Sequence, residues 1–325
     1  MPSAEELYIR MLNRLRAGAA AGACGARIAA MDSPARLAVY SNLLFGRMKR
    51  KAGDIADIYR RADSNWNQTL FIMYMRTLGD ASNRESFMRL AWKITCNPVL
   101  TERGSLRAVE ALLLGTSGLL EAYDDDDYTR SLKSEFTHLS HKYGITPISA
   151  GEWNLRQIKP LNHPVLRLAQ AAAFFTEHEF VCRECLECRT AEDVGRLFGA
   201  EASDYWSTHF TPGNAGDQLP KRIGRSKAEL IGINLAAPLQ FAYGMIMERE
   251  ELRERAMELL ESIAAEDNRY IRRWESYGVA PANAFDTQAL LQLATEYCDR
   301  QACEQCPVGR RILGETVAAA AVGTK

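Results

Sequence analysis

Three cysteines near the C-terminal end of the sequence have the spacing of metal ligands. Cys298, Cys303 and Cys306 follow one another closely, and Pro307 comes directly after the last of them. Thiolates at such short spacings bind zinc or iron–sulfur clusters, because neighbouring sulfurs can reach one centre. A closed site needs four ligands, so the fourth must come from elsewhere in the chain. The alternative is that these are small buried side chains at a helix end.

The helix that carries these cysteines must end before all three can meet. Helical spacing of apolar residues predicts a helix over residues 286–303. On a continuous helix, residues five apart point about 140° away from each other. Cys298 can therefore join Cys303 and Cys306 only if the helix ends between them, and Pro307 favours an end nearby.

A second cluster consists of His178, Cys182, Cys185 and Cys188. As a string it resembles a metal motif, but its geometry is unfavourable if the segment is helical. Cys182 and Cys188 would then be separated by about 9 Å along the helix axis. Sulfurs that each lie about 2.3 Å from one zinc ion cannot be that far apart. The segment must unwind to chelate a metal, and the alternative is a set of ordinary thiols on a helix face.

The elements that position these residues are predicted to be almost entirely helical. Apolar residues recur at helical spacing nearly everywhere, and alternation of period two is nearly absent. We therefore predict an all-α fold, a multi-helix bundle or array that can contain two packed helical subdomains. The segment 145–163 contains Pro147 and Pro160 and is followed by Pro164, a pattern that predicts an irregular connector. It places the predicted boundary between an N-terminal subdomain, residues 1–145, and a C-terminal subdomain, residues 146–325.

Local signals predict where several helices begin and end. Asp32, Ser33 and Pro34 form a cap followed by proline at a first-turn position, and they start a long helix toward Arg61. Ser64 or Asn65 caps the next helix, over residues 66–78. Further along the chain, helices are predicted over residues 203–210 and over residues 226–247.

Bulk composition excludes several classes of protein. The 325 residues carry a formal net charge of −1, and 47% of them are hydrophobic. Such values are typical of a globular protein and provide no global field that would attract nucleic acid or an anionic membrane. The N-terminus lacks the apolar region of a signal peptide, and no apolar tract is long enough to span a bilayer. We therefore expect a cytoplasmic protein with reduced cysteines and no membrane partner.

Six strings of the sequence, which together cover most of residues 20–310, occur in a recognisable order. They are VEALLLGTSGLLE (109–121), KPLNHPVLRLAQ (159–170), YWSTHF (205–210), the stretch from Ile223 through INLAAPLQFAYG (233–244), AFDTQALLQL (284–293) and YCDRQACEQCPVG (297–309). In this order they resemble an uncharacterised bacterial family, domain-of-unknown-function family 2851. In that family a longer N-terminal half resembles restriction endonucleases, and the resemblance implies that this chain corresponds to the C-terminal helical part only. The resemblance therefore assigns this chain no catalytic residues for nucleic-acid cleavage.

The resemblance also implies a fourth metal ligand. The family shows a cysteine near the start of its helical part, and Cys24 occupies that place here. Together with Cys298, Cys303 and Cys306 it gives a four-cysteine set for a 4Fe–4S cluster or a zinc ion. The set is similar to the iron–sulfur clasp of some CRISPR-adaptation and recombination nucleases, in which the cluster fastens the chain ends together.

Three hypotheses about function follow. The leading one is a non-catalytic helical module with a structural cysteine site, which binds a nuclease-like protein or nucleic acid. The second is an enzyme with its chemistry at the metal site or in a helical cleft. Its candidate ligand-binding residues are Arg167, Gln170 and His209, because they lie in the family-like strings. The third is an orphan fragment that self-associates as a homo-oligomer through an exposed apolar surface.

Overall fold

Helices make up most of the described chain, so the predicted all-α fold is confirmed. The computed structural model describes residues 3–17, 21–123 and 126–322. No helix within these ranges is long and apolar enough to cross a membrane. In chain order the α-helices are α1 (Ala4–Arg16), α2 (Ala21–Ala29), α3 (Ser33–Arg61), α4 (Trp66–Leu78), α5 (Arg84–Ile94), α6 (Cys96–Thr101), α7 (Leu106–Thr116), α8 (Asp127–Tyr143), α9 (Pro164–Glu177), α10 (Val181–Glu187), α11 (Ala191–Phe198), α12 (Arg225–Ile231), α13 (Ala237–Ile246), α14 (Glu250–Ser262), α15 (Arg269–Glu275), α16 (Ala284–Gln292) and α17 (Pro307–Val322).

Shorter elements interrupt or connect these helices. Two π-helical segments cover Gly232–Ala236 and Leu293–Cys298. Two short strands, β1 (His209–Thr211) and β2 (Asn214–Ala215), form an antiparallel pair. Single 3₁₀ turns cover Leu119–Ala122, Ala150–Glu152, Pro160–Asn162 and Asp204–Ser207.

The chain divides into two compact units. The first contains residues 1–51 and 260–325, and the second contains residues 52–259. The division falls within α3 and within α14. It differs from the predicted boundary after residue 145, because both sides of that position lie in the second unit.

Hydrogen bonds join the proline-rich connector to two helices of the second unit. The buried Trp153 donates from Nε1 to the carbonyl of Ser117 at the end of α7, over 2.9 Å. Ser86 on α5 donates from Oγ to the carbonyl of Glu152, over 2.6 Å. The connector therefore packs against two helices of the same unit, and its buried Trp153 lies among their side chains.

The predicted starts of the two helices α3 and α4 are confirmed. The Oδ1 of Asp32 accepts a hydrogen bond from the backbone nitrogen of Ala35, over 2.8 Å. Asn65 accepts in the same way from the backbone nitrogen of Gln68, over 3.1 Å, and α4 begins directly after it. In each case a short polar side chain satisfies an amide that the first helical turn leaves without a partner.

The predicted helix over residues 203–210 is wrong. A 3₁₀ turn covers Asp204–Ser207, and β1 follows it. The rings of Tyr205 and His209 stack with centroids 4.0 Å apart, and Gly213 turns the chain toward β2 with φ of 74°. Aromatic stacking and a glycine turn therefore override the local helical spacing.

The predicted helix over residues 226–247 contains a π-helical interruption. Gly232–Ala236 separates α12 from α13, and Pro238 lies in the first turn of α13. Proline has no backbone N–H and cannot continue the regular helical hydrogen bonding, so the chain adopts a wider turn just before it.

Candidate metal centre

Four cysteines from opposite ends of the sequence line one cavity in the first unit. The cavity has a volume of about 70 Å³, and Cys24, Cys298, Cys303 and Cys306 all contribute to its wall. The structure therefore brings together the four residues that the sequence and the family resemblance single out. The remaining lining residues are mainly apolar or aromatic, with two arginines: Leu15, Arg16, Arg273, Trp274, Tyr277, Ala294, Tyr297 and Gly309.

The end of a helix allows the C-terminal cysteines to converge. The π-helical segment ends at Cys298, five residues before the predicted end, and α17 begins only at Pro307. Between them Gln301 has a φ of 54°, and the amide of Ala302 donates to the carbonyl of Tyr297 over 2.9 Å. The chain therefore turns between the first two cysteines of the trio, as their convergence requires.

Two glycines allow the backbone to approach closely at this site. A Cβ atom on Gly309 would lie 2.2 Å from the carbonyl oxygen of Cys303. A Cβ atom on Gly25, the neighbour of Cys24, would lie 2.3 Å from the Cβ of Tyr277. Any larger residue would push the cysteine-bearing segments away from the cavity.

Apolar packing joins the helices that flank the cavity. Leu12 and Leu15 of α1 form a buried cluster with Leu313 of α17, and both Cys24 and Cys303 pack against it. Arg16 forms an ion pair with Glu304, which lies between two of the cysteines, over 2.6 Å; both side chains are more than 40% exposed. Exposed pairs contribute little, so the apolar cluster is the main stabilising contact.

Burial determines the protonation of the four thiols. It raises the pKa of Cys24 to about 11 and that of Cys298 to about 12. Arg273 opposes the shift at Cys298, and Arg16 opposes the smaller shift in the pKa of Cys303. These thiols are therefore neutral near pH 7 in the absence of a cation, and a metal must displace their protons to bind.

The sulfur of Cys306 accepts a hydrogen bond at the start of α17. The amide of Gly309 donates to Sγ over 3.4 Å. Burial raises the pKa of Cys306, and backbone amides of the first turn oppose that shift. Amides and a helix N-terminus favour a thiolate over a thiol, and hydrogen bonds to sulfur are common around iron–sulfur clusters.

The cavity that the four cysteines line offers more space than one water molecule fills. Within the described residues, no group of three or more His, Cys, Asp or Glu side chains is compact enough to hold one metal ion. Zinc requires four sulfurs about 2.3 Å from one point. A volume of 70 Å³ is several times what one water molecule needs. In a 4Fe–4S cluster each cysteine binds a different iron, so four thiols around such a cluster surround a larger space than four thiols around one zinc ion.

The second cysteine cluster is divided between two pockets. Cys182 and Cys185 lie on α10, and Cys188 follows its last residue. Cys182 lines one pocket, whereas His178 and Cys188 line another. The imidazole Nδ1 of His178 lies 2.7 Å from the carboxylate of Glu184, so this ring already has a partner within its own segment.

A buried glutamine keeps the end of α10 folded. Gln240 donates from Nε2 to the carbonyl of Cys185 over 3.0 Å and to that of Cys188 over 2.7 Å. Unwinding this segment to gather the three thiols would break both bonds in a buried environment, where unpaired carbonyls are costly.

The candidate ligand-binding residues form hydrogen bonds within the second unit. Arg167, only 5% exposed, donates to Oε1 of Gln170 over 2.9 Å and to Oδ1 of Asn162 over 2.7 Å. Gln170 in turn donates to the carbonyl of Lys221. His209 has other partners: its Nδ1 lies 2.8 Å from the carbonyl oxygen of Tyr205. These groups therefore connect helices and turns of the fold.

The comparisons with known proteins identify a family but no activity. A family model described as protein of unknown function, DUF2851, matches residues 3–269. The chain belongs to the DUF2851 family. The matched range includes Cys24 and ends before Cys298, so the match itself does not cover the C-terminal trio. No curated protein and no solved structure matches the chain.

A buried carboxylate in this DUF2851 chain was not among the residues predicted from sequence. Glu110 on α7 is 1% exposed and accepts hydrogen bonds from Tyr128, from Ser203 over 2.8 Å and from Nε1 of Trp206 over 3.2 Å. Desolvation raises its pKa, and the three donors oppose that shift. The signal available in the sequence is a lone acid within the apolar string VEALLLG.

Proposed function

We propose that the first unit of this DUF2851 chain binds a 4Fe–4S cluster through Cys24, Cys298, Cys303 and Cys306. The observation that carries the proposal is that these four thiols, from opposite ends of the sequence, line one cavity. That cavity has several times the volume that one water molecule needs, and its mostly apolar wall would limit the access of solvent to a bound cluster.

The proposed role of the cluster is structural. It would join α2, which carries Cys24, to the segment between α16 and α17, and so reinforce the packing of Leu12 and Leu15 on Leu313. When bound, such a cluster supplies four iron–thiolate bonds and can accept or release an electron. Arg16 and Arg273, which line the cavity, would offset the negative charge of the four thiolates.

We further propose that the chain is a non-catalytic binding module for a nuclease-like protein or nucleic acid, the partners that the family resemblance implies. Two observations support a non-catalytic role over an enzyme. Arg167 and Gln170 bond to each other and to the backbone of their own unit, and His209 bonds to a carbonyl four residues before it. Side chains occupied in this way are poorly placed to act on a substrate.

The direct test is the metal content of the chain purified without oxygen. We expect about four irons and four sulfides per chain, with the broad visible absorption of a cubane cluster. The Cys24→Ser variant should lose both, and Cys182→Ser, which changes a thiol of the second cluster, should retain them.

Two results would contradict the proposal. One zinc per chain would preserve the four-cysteine site but exclude the cluster. Full iron content in Cys24→Ser, or equal loss in Cys24→Ser and Cys182→Ser, would exclude Cys24 as a ligand.

A further inference from the structure

The two arginines that line the cysteine cavity of the first unit differ in the partners of their guanidinium groups. Arg16 donates to the carboxylate of Glu304 over 2.6 Å, so an acid offsets its positive charge. Arg273 donates from Nε to the hydroxyl of Tyr277 over 3.3 Å, and a hydroxyl carries no charge that would offset it. Within the described part of the chain Arg273 forms no ion pair, and Asp299 acts on it only at longer range. Arg273 therefore brings a positive charge without a close counter-charge to the wall of the cavity.

The packing of α15 and of the turn after it holds Arg273 at this position. Trp274, the next residue, is 5% exposed and donates from Nε1 to a backbone carbonyl of α16 over 3.3 Å. Tyr277 lies so close to Gly25 that a Cβ atom on the glycine would be 2.3 Å from the Cβ of the tyrosine. Gly25 follows Cys24, so the side chain that holds the guanidinium packs directly beside a proposed ligand. Arg273 itself is exposed, and its guanidinium lies on the solvent side of the cavity.

A charge at this position acts on the redox equilibrium of an iron–sulfur site. The reduction potential of such a cluster depends on the net charge around it, on hydrogen bonds to the sulfurs and on solvent exposure. Uptake of one electron makes a site with four thiolates more negative by one charge. A neighbouring cation attracts this reduced form more strongly than the oxidised form, and so raises the reduction potential. A cation that is paired with a carboxylate has a smaller effect, because the two fields largely cancel at a distance.

We propose that Arg273 raises the reduction potential of the 4Fe–4S cluster through the positive charge that it holds at the cavity wall. This inference rests on the proposed function, because it requires a cluster bound by the four cysteines. Arg273 also opposes the rise in the pKa of Cys298, in agreement with a guanidinium close to that sulfur. Arg16 contributes less, since Glu304 lies beside it. The site is then suited to accept an electron from a one-electron donor, in addition to joining two segments of the chain.

The test is a redox titration of the full chain, purified without oxygen and followed by visible absorption. Dithionite supplies the electrons through one-electron mediator dyes, and the iron content of every sample is measured first. We expect Arg273→Gln to retain its iron. The ratio of reduced to oxidised cluster at a fixed potential should fall about three- to tenfold, the effect of one nearby charge. This change corresponds to a midpoint potential roughly 30 to 60 mV lower. Arg273→Lys keeps the charge and should restore most of the difference.

Arg272→Gln is the matched control. Arg272 also lies on α15, but it does not line the cavity, and it pairs with Asp267 over 2.6 Å. The variant removes the same formal charge and should keep the wild-type midpoint potential. Equal midpoint potentials of Arg273→Gln and Arg272→Gln, with full iron in both, would overturn this inference alone. Equal lowering in Arg273→Lys and Arg273→Gln would also overturn it, because the charge would then have no part in the effect.

Two further measurements separate this inference from the proposed function. A wild-type chain without iron would overturn the proposed function and this inference with it. If Arg273→Gln loses its iron, the titration is made on Tyr277→Phe, which releases the guanidinium from its hydrogen bond and leaves the charge of the chain unchanged. This variant should also have a lower midpoint potential than the wild type, and an unchanged potential would overturn the inference.

Discussion

The two cysteine clusters of this chain differ in how sequence spacing relates to spatial arrangement. The second cluster is contained in residues 178–188, yet its side chains line two separate pockets. The four cysteines of the first unit include one, Cys24, that is remote from the other three in sequence, and they line a single cavity. Compact spacing is therefore a poor guide here, and convergence of chain segments is a better one.

Helix geometry accounts for the difference. Cys182 lies near the start of the continuous helix α10 and Cys188 follows its end, which Gln240 holds, so these two sulfurs are too far apart along the axis to meet at one ion. Cys303 and Cys306 lie where a helix has ended, and Gly309 allows the chain to fold back closely. A helix end between ligands lets their side chains turn toward one point, and the C-terminal trio of the first unit has such an end.

The largest expected effect is the loss of the metal from the first unit. Removal of the cluster, or the Cys24→Ser substitution, should lower the free energy of unfolding by roughly 4 kcal/mol or more. This is the stabilisation that a ligand gives when its free concentration is about a thousand times its dissociation constant. Hydrogen exchange followed by mass spectrometry should show faster exchange in α1 and α17. Cys182→Ser is the control. Unchanged exchange in α1 and α17 after metal removal would argue against a cluster that joins them.

The next effect concerns the helix end in the second cluster. Gln240→Ala leaves the carbonyls of Cys185 and Cys188 without this donor. We expect it to lower the free energy of unfolding, measured in urea, by about 2 to 3 kcal/mol. Gln218→Ala, at an exposed glutamine, is the control. If the variant also gains a zinc ion that the wild type lacks, the second cluster is a metal site held closed by Gln240, and the contrast between the clusters is smaller than we propose.

Acid tests the second unit without involving either cysteine cluster. Burial lowers the pKa of His163 to about 4, so its imidazole is neutral in the folded chain. The unfolded chain binds a proton below about pH 6.5, and stability should therefore fall as the pH falls from about 6.5 to about 4. Because the imidazole is only partly buried, we expect a loss of about 2 kcal/mol in the free energy of unfolding.

The matched variant is His163→Asn, which keeps a side chain able to cap α9 and has no titrating group. Urea unfolding of this variant between pH 7 and pH 4 should show less acid destabilisation than the wild type. His141→Asn, at an exposed histidine, is the comparison. Equal acid destabilisation in wild type and His163→Asn would assign the effect to other groups.

Local signals in the sequence were sufficient for much of the fold but not for its division into units. Capping by Asp32 and Asn65 predicted the starts of α3 and α4, because a cap involves only neighbouring residues. The pairing of residues 1–51 with residues 260–325 is a contact between distant segments, and periodicity carries no information about it. The stack of Tyr205 on His209 is likewise tertiary, so residues 203–210 were wrongly predicted as a helix.

The candidate site shows the same limit. Sequence reasoning required a helix end between Cys298 and Cys303, and the structure has one. Cys24 came only from the family resemblance, since nothing in its own surroundings indicates a ligand. The buried Glu110 was missed because its three donors come from residues far along the chain. Residues whose role depends on distant partners are those that a single sequence leaves undetermined.

The smallest effect gives the sharpest comparison of the two clusters. Cys185 is fully buried in the second cluster, and Cys306 is buried in the first. Cys185→Ala removes one buried sulfur. It should lower the free energy of unfolding, measured in urea, by about 1 kcal/mol and leave the iron content unchanged. Cys306→Ala removes a sulfur of the same size but should also abolish iron binding. If both variants lose about 1 kcal/mol and neither changes the metal content, the four cysteines of the first unit are packing residues, as those of the second unit are proposed to be.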